Sequence, residues 1–367
     1  MENKKYLSEQ IITYLGNKRK LLDCIAKEVE EAIKEIGLEK VVTCDLFSGS
    51  GVVARRLKQY SSILYANDIE EYSYVINDCY LTNAEDFNED FYNECLNKVL
   101  SYPCVNNGVI TDNYAPKNDK SIKEGERAFY THSNAVKIDT IREAIDKFVP
   151  ESYKKFFLAP LLYEASVHAN TSGVFKGFYK SKITNIGKFG GDGENALERI
   201  LGSIELKKPV FSNYNCQVTL FKEDANVLVK HLRNIDITYI DPPYNQHPYG
   251  SNYFMLNTIL ENRVGHNISK VSGIPDDWNK SAYNKKKEAL SAFENLISDI
   301  DSKYLIISYN NEGFISLEEM QTMLSKYGEL KTKEIDYVAF RGSRNLKNRN
   351  THTTEYIFVL KKRIADE

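Results

Sequence analysis

Val41-Val42-Thr43-Cys44-Asp45-Leu46-Phe47-Ser48-Gly49-Ser50-Gly51 decides the fold class of this chain. Val41 to Phe47 is β-branched and apolar, which suits a buried strand, because branched side chains pack well on a pleated surface. Ser48 to Gly51 is a tight turn, and Val52 to Gln59 resumes with helical spacing. Upstream, Leu21, Leu22, Ile25, Val29 and Ile33 recur on one face of a helix over Lys18 to Ile36, which Gly37 ends. Downstream, Ile63 to Asn67 is a second strand, followed by a helix from about Glu70 to Asn83. Strand and helix alternating in this way predict an α/β fold with parallel strands, since parallel neighbours need a crossover between them.

The rhythm returns after Pro209. Cys216 to Phe221, Ile237 to Ile240 and Tyr304 to Ser308 are strands; Ala225 to Leu232, Tyr253 to Asn262, Ser281 to Ile300 and Leu317 to Tyr327 are helices. Glu329 to Phe340 and His352 to Lys361 predict a closing antiparallel hairpin, so the sheet is mixed. Between the two halves, Ser101 to Lys208 follows another pattern: a polar opening, a helix over Tyr153 to Asn170 with Pro160 as a kink or break, and a glycine, aromatic and lysine stretch ending at Gly190-Gly191. The expected organisation is one catalytic α/β domain over residues 1–100 and 209–367, with an inserted, mainly helical region over 101–208.

Composition sets outer limits. The 367 residues exceed what one ordinary core absorbs. With 42% hydrophobic and 27% charged residues, the chain has a soluble globular composition. No apolar run approaches the roughly 20 residues that cross a bilayer, and the polar start Met1-Glu2-Asn3-Lys4-Lys5 carries no secretory signal. Cys24, Cys44, Cys79, Cys95, Cys104 and Cys216 form no C-x-x-C pair, which points to reduced, buried thiols in a cytoplasmic protein. The histidines lack metal-ligand spacing, so no metal site is expected. The net charge of −3 does not favour nucleic acid, but binding requires only a local basic face. Two runs free of acidic residues supply candidates: Lys176, Lys180, Lys182 and Lys188 within 171–190, and Arg341, Arg344, Lys347 and Arg349 within 341–349.

Three motifs carry chemistry. Asp45, Phe47, Gly49 and Gly51 leave the carboxyl end of the first strand, the edge where open α/β sheets bind ligands. The loop lacks the G-x-G-x-x-G spacing of a pyrophosphate cradle; the same glycines also make a plain tight connection. Asn67-Asp68 ends the second strand, where an acidic residue can hold the ribose of a nucleoside or cap the next helix. Asp241-Pro242-Pro243-Tyr244 ends the strand Ile237 to Ile240 and is the strongest signal. Two prolines remove two backbone donors and fix φ. That leaves a rigid strip of acceptors, the Asp241 carboxylate and the Pro242 carbonyl, beside a ring on which a base can stack. An exocyclic amine needs two such acceptors to hold its hydrogens and aim its lone pair at an electrophile. A proline turn after a strand is the plainer alternative.

This pattern resembles the amino-methyltransferases with an Asp-Pro-Pro-Tyr motif. Tyr14-Leu15-Gly16-Asn17-Lys18 resembles the Tyr-x-Gly-Gly-Lys element of Dam-type adenine-N6 DNA methyltransferases, with Asn17 in place of a second glycine. Asn67-Asp68 and Ser308-Tyr309-Asn310 fall in the family's order; the middle segment does not map. The resemblance implies a Rossmann-like S-adenosylmethionine-dependent methyltransferase fold whose insertion recognises DNA. It implies that Tyr14, Gly16 and Lys18 line the methionine end of the cofactor, that Asp45, Phe47, Gly49 and Gly51 form its loop, and that Asp68 holds its ribose. Asp224 would meet its adenine amine, or cap a helix. Asp241, Pro242 and Tyr244 would be catalytic, acting on an adenine flipped out of double-stranded DNA. Lys176, Lys180, Lys182, Tyr249, Arg341 and Arg344 are the candidate DNA contacts. A modification role beside a separate cognate restriction endonuclease fits the family. An RNA adenine methyltransferase and a catalytically silent nucleic-acid-binding subunit are the alternatives; the intact motifs disfavour the second.

Overall fold

A computed structural model of the chain describes residues 1–338 and 352–363. Its sheet contains β1 (Val41–Asp45), β2 (Ser61–Asn67), β3 (Gln217–Phe221), β4 (Ile235–Ile240), β5 (Ser302–Asn310), β6 (Gly328–Val338) and β7 (His352–Lys362). The order is β3-β2-β1-β4-β5-β7-β6. β1 to β5 pair in parallel, and β7 runs antiparallel between β5 and β6. The mixed α/β sheet expected from the sequence is therefore present. The chain runs outward from β1 to β2 and β3, then returns to β4 on the other side of β1. Such a reversal opens a crevice at the carboxyl ends of the central strands. Among the described residues, no helix is long and apolar enough to cross a membrane.

Both sheet faces are covered, and strand alternation divides the core between them. On β5 and β7, Ile306, Ile357 and Val359 face one cluster with the helices Leu22–Ile36 and Val52–Leu57. Leu305, Ile307, Phe358 and Leu360 face another, with Phe293, Leu296 and Met320. A third core is helical and continuous across the chain: Ile76 and Tyr80 pack with Ile138, Phe157, Leu161, Met255 and Leu256. The helices His132–Phe148 and Glu151–Val167 thus share their core with Glu71–Tyr80 and Phe254–Glu261.

Some boundaries differ from the sequence reading. Glu151–Val167 continues through Pro160, which is buried among Phe156, Phe157, Leu161 and Leu162. Packing on this scale offsets the roughly 3 kcal/mol that an interior proline costs. Ser281 to Ile300 is two elements, a 3₁₀ turn at Ala282–Asn284 and a helix at Ala289–Asp299. The intervening Lys285-Lys286-Lys287 has no apolar face to bury. The helix expected over Tyr253 to Asn262 is present as Phe254–Glu261, with a separate short helix, Tyr249–Asn252, just ahead of it. All six thiols are free; Cys44, Cys79, Cys95 and Cys216 are buried as expected, whereas Cys24 and Cys104 are exposed.

The N-terminal segment is locked to the sheet by Arg55. Its guanidinium donates to the carbonyls of Tyr6, Glu9 and Gln10 at 2.9–3.0 Å and lies 3.9 Å from the Tyr80 ring centre. This fixes the chain just ahead of Tyr14 to Lys18.

Candidate active site

The glycine loop is shaped by the ends of β1 and β2. Asn67 donates to the carbonyls of Leu46 and Glu223, and the Ser48 N–H donates to the Asn67 carbonyl at 2.9 Å. Gly49 (φ 48°) and Gly51 (φ 75°) occupy the left-handed region, which only glycine enters without strain. The Gly49 N–H donates to one Asp68 carboxylate oxygen at 2.7 Å, and the Glu70 N–H donates to the other at 2.9 Å. Asp68 therefore braces the loop while each oxygen keeps a further lone pair. Glu70, also buried, accepts from Asn257, and its carboxyl is pushed up to about 7 by burial and then by Asp68.

In-register pairing of Asp45 with Tyr239 brings Asp45 and Asp241 to the same sheet edge. Asp45 is 1% exposed and neither of its oxygens makes a hydrogen bond of good geometry. Burial, then the Asp241 charge, holds its carboxyl well above the usual range. The Lys18 ammonium sits 3.0 Å from Asp241, 2.9 Å from Glu355 on β7, and 3.2 Å from the Gly16 carbonyl. It also lies 5.5 Å from the centre of the Tyr244 ring. Burial pushes the Asp241 carboxyl up to about 6; Lys18 pulls it down and Glu355 raises it. Tyr14 stacks between Tyr249 and Tyr253, with ring centres 4.9 and 4.7 Å away.

These groups surround a chamber enclosing about 890 Å³, counting the part open to solvent. Tyr14, Gly16, Lys18, Asp45, Phe47, Gly49, Asp68 and Asp224 all line it, together with Asp241. Gly51 does not; it starts the helix Val52–Leu57 and packs on Asn77. Asp224 caps the helix Ala225–Leu228, accepting from the Asn226 and Val227 N–H groups, and still faces the chamber. Its two sequence readings are compatible. Phe47 meets Tyr283 edge-on at 5.4 Å, closing one wall.

A second cavity, of about 670 Å³, adjoins the first and shares Gly16 and Tyr249 with it. Tyr244, Asn245, Lys176 and His247 also line it, and none of its described lining residues is acidic. The first chamber, by contrast, is faced by Asp45, Asp68, Glu70, Glu223, Asp224 and Asp241. Tyr249 is a wall between the two, with its hydroxyl donating to the Leu15 carbonyl. Lys176 lies at the second cavity, its Nζ 3.3 Å from His247 Nδ1. Burial lowers both groups, and Lys176 lowers His247 further. Lys180 and Lys182 line neither space: Lys180 lies over the Phe178 ring, and the Lys182 N–H donates to Asp192. Arg341 and Arg344 fall outside the described residues.

Sequence reasoning missed Glu355, Glu70, Tyr72 and His247. Glu355 left one usable signal. It shares its strand phase with Ile357 and Val359, both buried, so a charged residue occupies an apolar alternation. Tyr72 sits beneath Tyr14, their hydroxyls 3.2 Å apart; in sequence it is one more aromatic on a helix.

Comparison with known proteins places this geometry. Residues 14–323 match the model of the D12 class N6 adenine-specific DNA methyltransferases. The chain is 30% identical to the Type II methyltransferase M.NlaIII of Neisseria lactamica, over 96% of this chain and 99% of that protein. It is 30% identical to the Type II methyltransferase M.CviAII of Paramecium bursaria Chlorella virus 1, over 95% and 98%. A further relative, the Type II methyltransferase M.FokI of Planomicrobium okeanokoites, is 29% identical over 96% of this chain but only 53% of its own length. With the Asp-Pro-Pro-Tyr edge, the glycine loop and the Tyr14 element assembled around one chamber, the chain belongs to the D12 class of N6 adenine-specific DNA methyltransferases.

Proposed function

We propose that this chain transfers a methyl group from S-adenosylmethionine to the N6 amine of an adenine flipped out of duplex DNA. We further propose that it serves as the modification enzyme of a restriction–modification system. The observation that carries this reading is the pair of adjoining spaces of opposite character, with Asp241 lining one and Tyr244 the other.

The acidic chamber fits a cationic cofactor. Asp45 is buried, and neither of its oxygens makes a hydrogen bond of good geometry among the described residues, so it invites a donating group. When bound, S-adenosylmethionine supplies a sulfonium methyl whose S–C bond breaks as the new N–C bond forms. Asp68 and Glu70 are placed to accept from ribose hydroxyls, and Asp224 from an adenine amine. Asp241 and the Pro242 carbonyl hold the target amine's hydrogens and stabilise positive charge as it grows on nitrogen. Asp241 then passes the surplus proton toward solvent. Tyr244 offers the flipped base a ring to stack on, at a flipping cost of a few kcal/mol.

The residues 101–208, especially the exposed stretch around Lys176 to Lys188, form the target-recognition face in this reading, and double-stranded DNA in the cytoplasm is the partner. Lys176→Glu with Lys180→Glu should weaken DNA binding at least tenfold and reduce the slope of log affinity against log salt by about 2, one for each phosphate no longer neutralised. Fluorescence titration at several salt concentrations reads both; an unaltered slope moves the DNA-binding face elsewhere. The function itself is tested by mapping methylated adenines in DNA and RNA from cells expressing the chain. One short DNA sequence should carry N6-methyladenine, and should resist an endonuclease that cuts that sequence. Methylation confined to RNA overturns the proposal.

A further inference from the structure

Lys18 is 3% exposed and Glu355 is fully buried. An ammonium has three protons to donate, and Asp241, Glu355 and the Gly16 carbonyl are the three acceptors around it. One carboxylate would neutralise Lys18. Burying a second is costly, and apart from Lys18 the Glu355 oxygens have no hydrogen-bond partner among the described residues. Its presence is explained by the charge of the trio. One cation between two anions leaves a single net negative charge, and of the two carboxylates only Asp241 opens onto the chamber.

We propose that Glu355 is a positioning residue for methyl transfer: by sharing Lys18, it keeps the Asp241 carboxylate from being fully neutralised before the target amine arrives. The inference rests on the reading of Asp241 as the acceptor of that amine. The nitrogen that accepts the methyl group becomes positive, so a net negative trio stabilises the transition state more than a neutral pair does. Glu355 lies beyond residues 14–323, the span that carries the family pattern.

Other groups face Asp241. Asp45 on β1 shares the same sheet edge, and burial, then the Asp241 charge, raises its carboxyl. Tyr239 and Tyr249 also face it, and burial keeps their hydroxyls protonated; Tyr244 faces Lys18. Of the charged groups around the carboxylate, Lys18 lowers it and Glu355 raises it.

The sign of the pH effect follows. Activity needs Asp241 ionised, so its titration forms the acidic limb of the kcat profile. Glu355→Gln removes a negative neighbour. The limb should move down by about half to one pH unit, and plateau kcat should fall about five- to tenfold, with the cofactor KM within about twofold. Glu355→Asp keeps the charge and should hold the limb near its wild-type position. Lys18→Met combined with Glu355→Gln removes both neighbours and should move the limb upward instead, because the stronger, lowering influence is lost with the weaker one. Cooperative thermal melting establishes that each variant is folded. A folded Glu355→Gln enzyme with wild-type kcat and an unmoved limb overturns the proposal. So does a double variant whose limb stays where it was, which keeps the test intact where the single variant fails to fold. Asp241→Asn, measured in parallel, separates the two readings. Full turnover there removes the anionic role of Asp241 on which this proposal stands; a dead Asp241→Asn beside an unaffected Glu355→Gln removes only the role of Glu355.

Discussion

Asp241→Ala should abolish methyl transfer, by a factor of about 10³ or more, while the affinity for S-adenosylmethionine should change only a few-fold. The size follows from the work assigned to one carboxylate. In the proposed reaction it orients the amine and faces charge that grows only in the transition state, an arrangement whose loss typically costs about 10² to 10³ in kcat for a single preorganised group. Misplacing the nucleophile adds to that loss. The fold should survive, since Lys18 retains Glu355 at 2.9 Å and no buried cation is left alone. Cofactor binding should survive as well, because Asp45, Asp68 and Glu70 still line the chamber. Incorporation of labelled methyl groups into DNA measures the first effect, and calorimetry the second. Turnover within about tenfold of wild type would remove Asp241 from the reaction.

Gly49→Val should reduce cofactor affinity by about 100-fold or more. Three independent features converge on this residue. Its φ of 48° is left-handed, where a β-branched side chain is strained by roughly 1–3 kcal/mol. A Cβ there would stand 2.9 Å from the Tyr14 ring, which is itself wedged between Tyr249 and Tyr253 and cannot step aside. The Gly49 N–H also anchors Asp68, so any shift of the loop displaces the carboxylate assigned to the ribose. Relief comes only by moving the loop or Tyr14 into the cofactor space. Calorimetric titration measures the loss, with a cooperative melt showing that the apo fold persists. Unchanged affinity would place the cofactor elsewhere.

Local chemistry and periodicity were enough for much of the sheet. β1, its glycine turn and the following helix were legible because a β-branched run, two glycines and a helical stripe each have a short-range physical cause. Asp-Pro-Pro-Tyr was legible because proline's effect on φ and on donors does not depend on distant residues. Helix ends were less legible. The lysine run at 285–287 divides a helix whose apolar spacing reads as continuous, and Pro160 stays inside one because buried neighbours outweigh its cost. Residues 168–216 contain little regular structure, and periodicity has nothing to measure there.

By itself, then, the sequence determined the α/β order and the sheet edge at which Asp45, Asp68 and Asp241 meet around one chamber. Only the tertiary structure decided the electrostatic state of Asp241. Lys18, Asp241 and Glu355 come from the N-terminal segment, the end of β4 and the last strand, and each is an ordinary charged residue in its own neighbourhood. Charge interactions grow as water is excluded and separation falls to about 3 Å, and both conditions exist only once the sheet has closed β7 against β5.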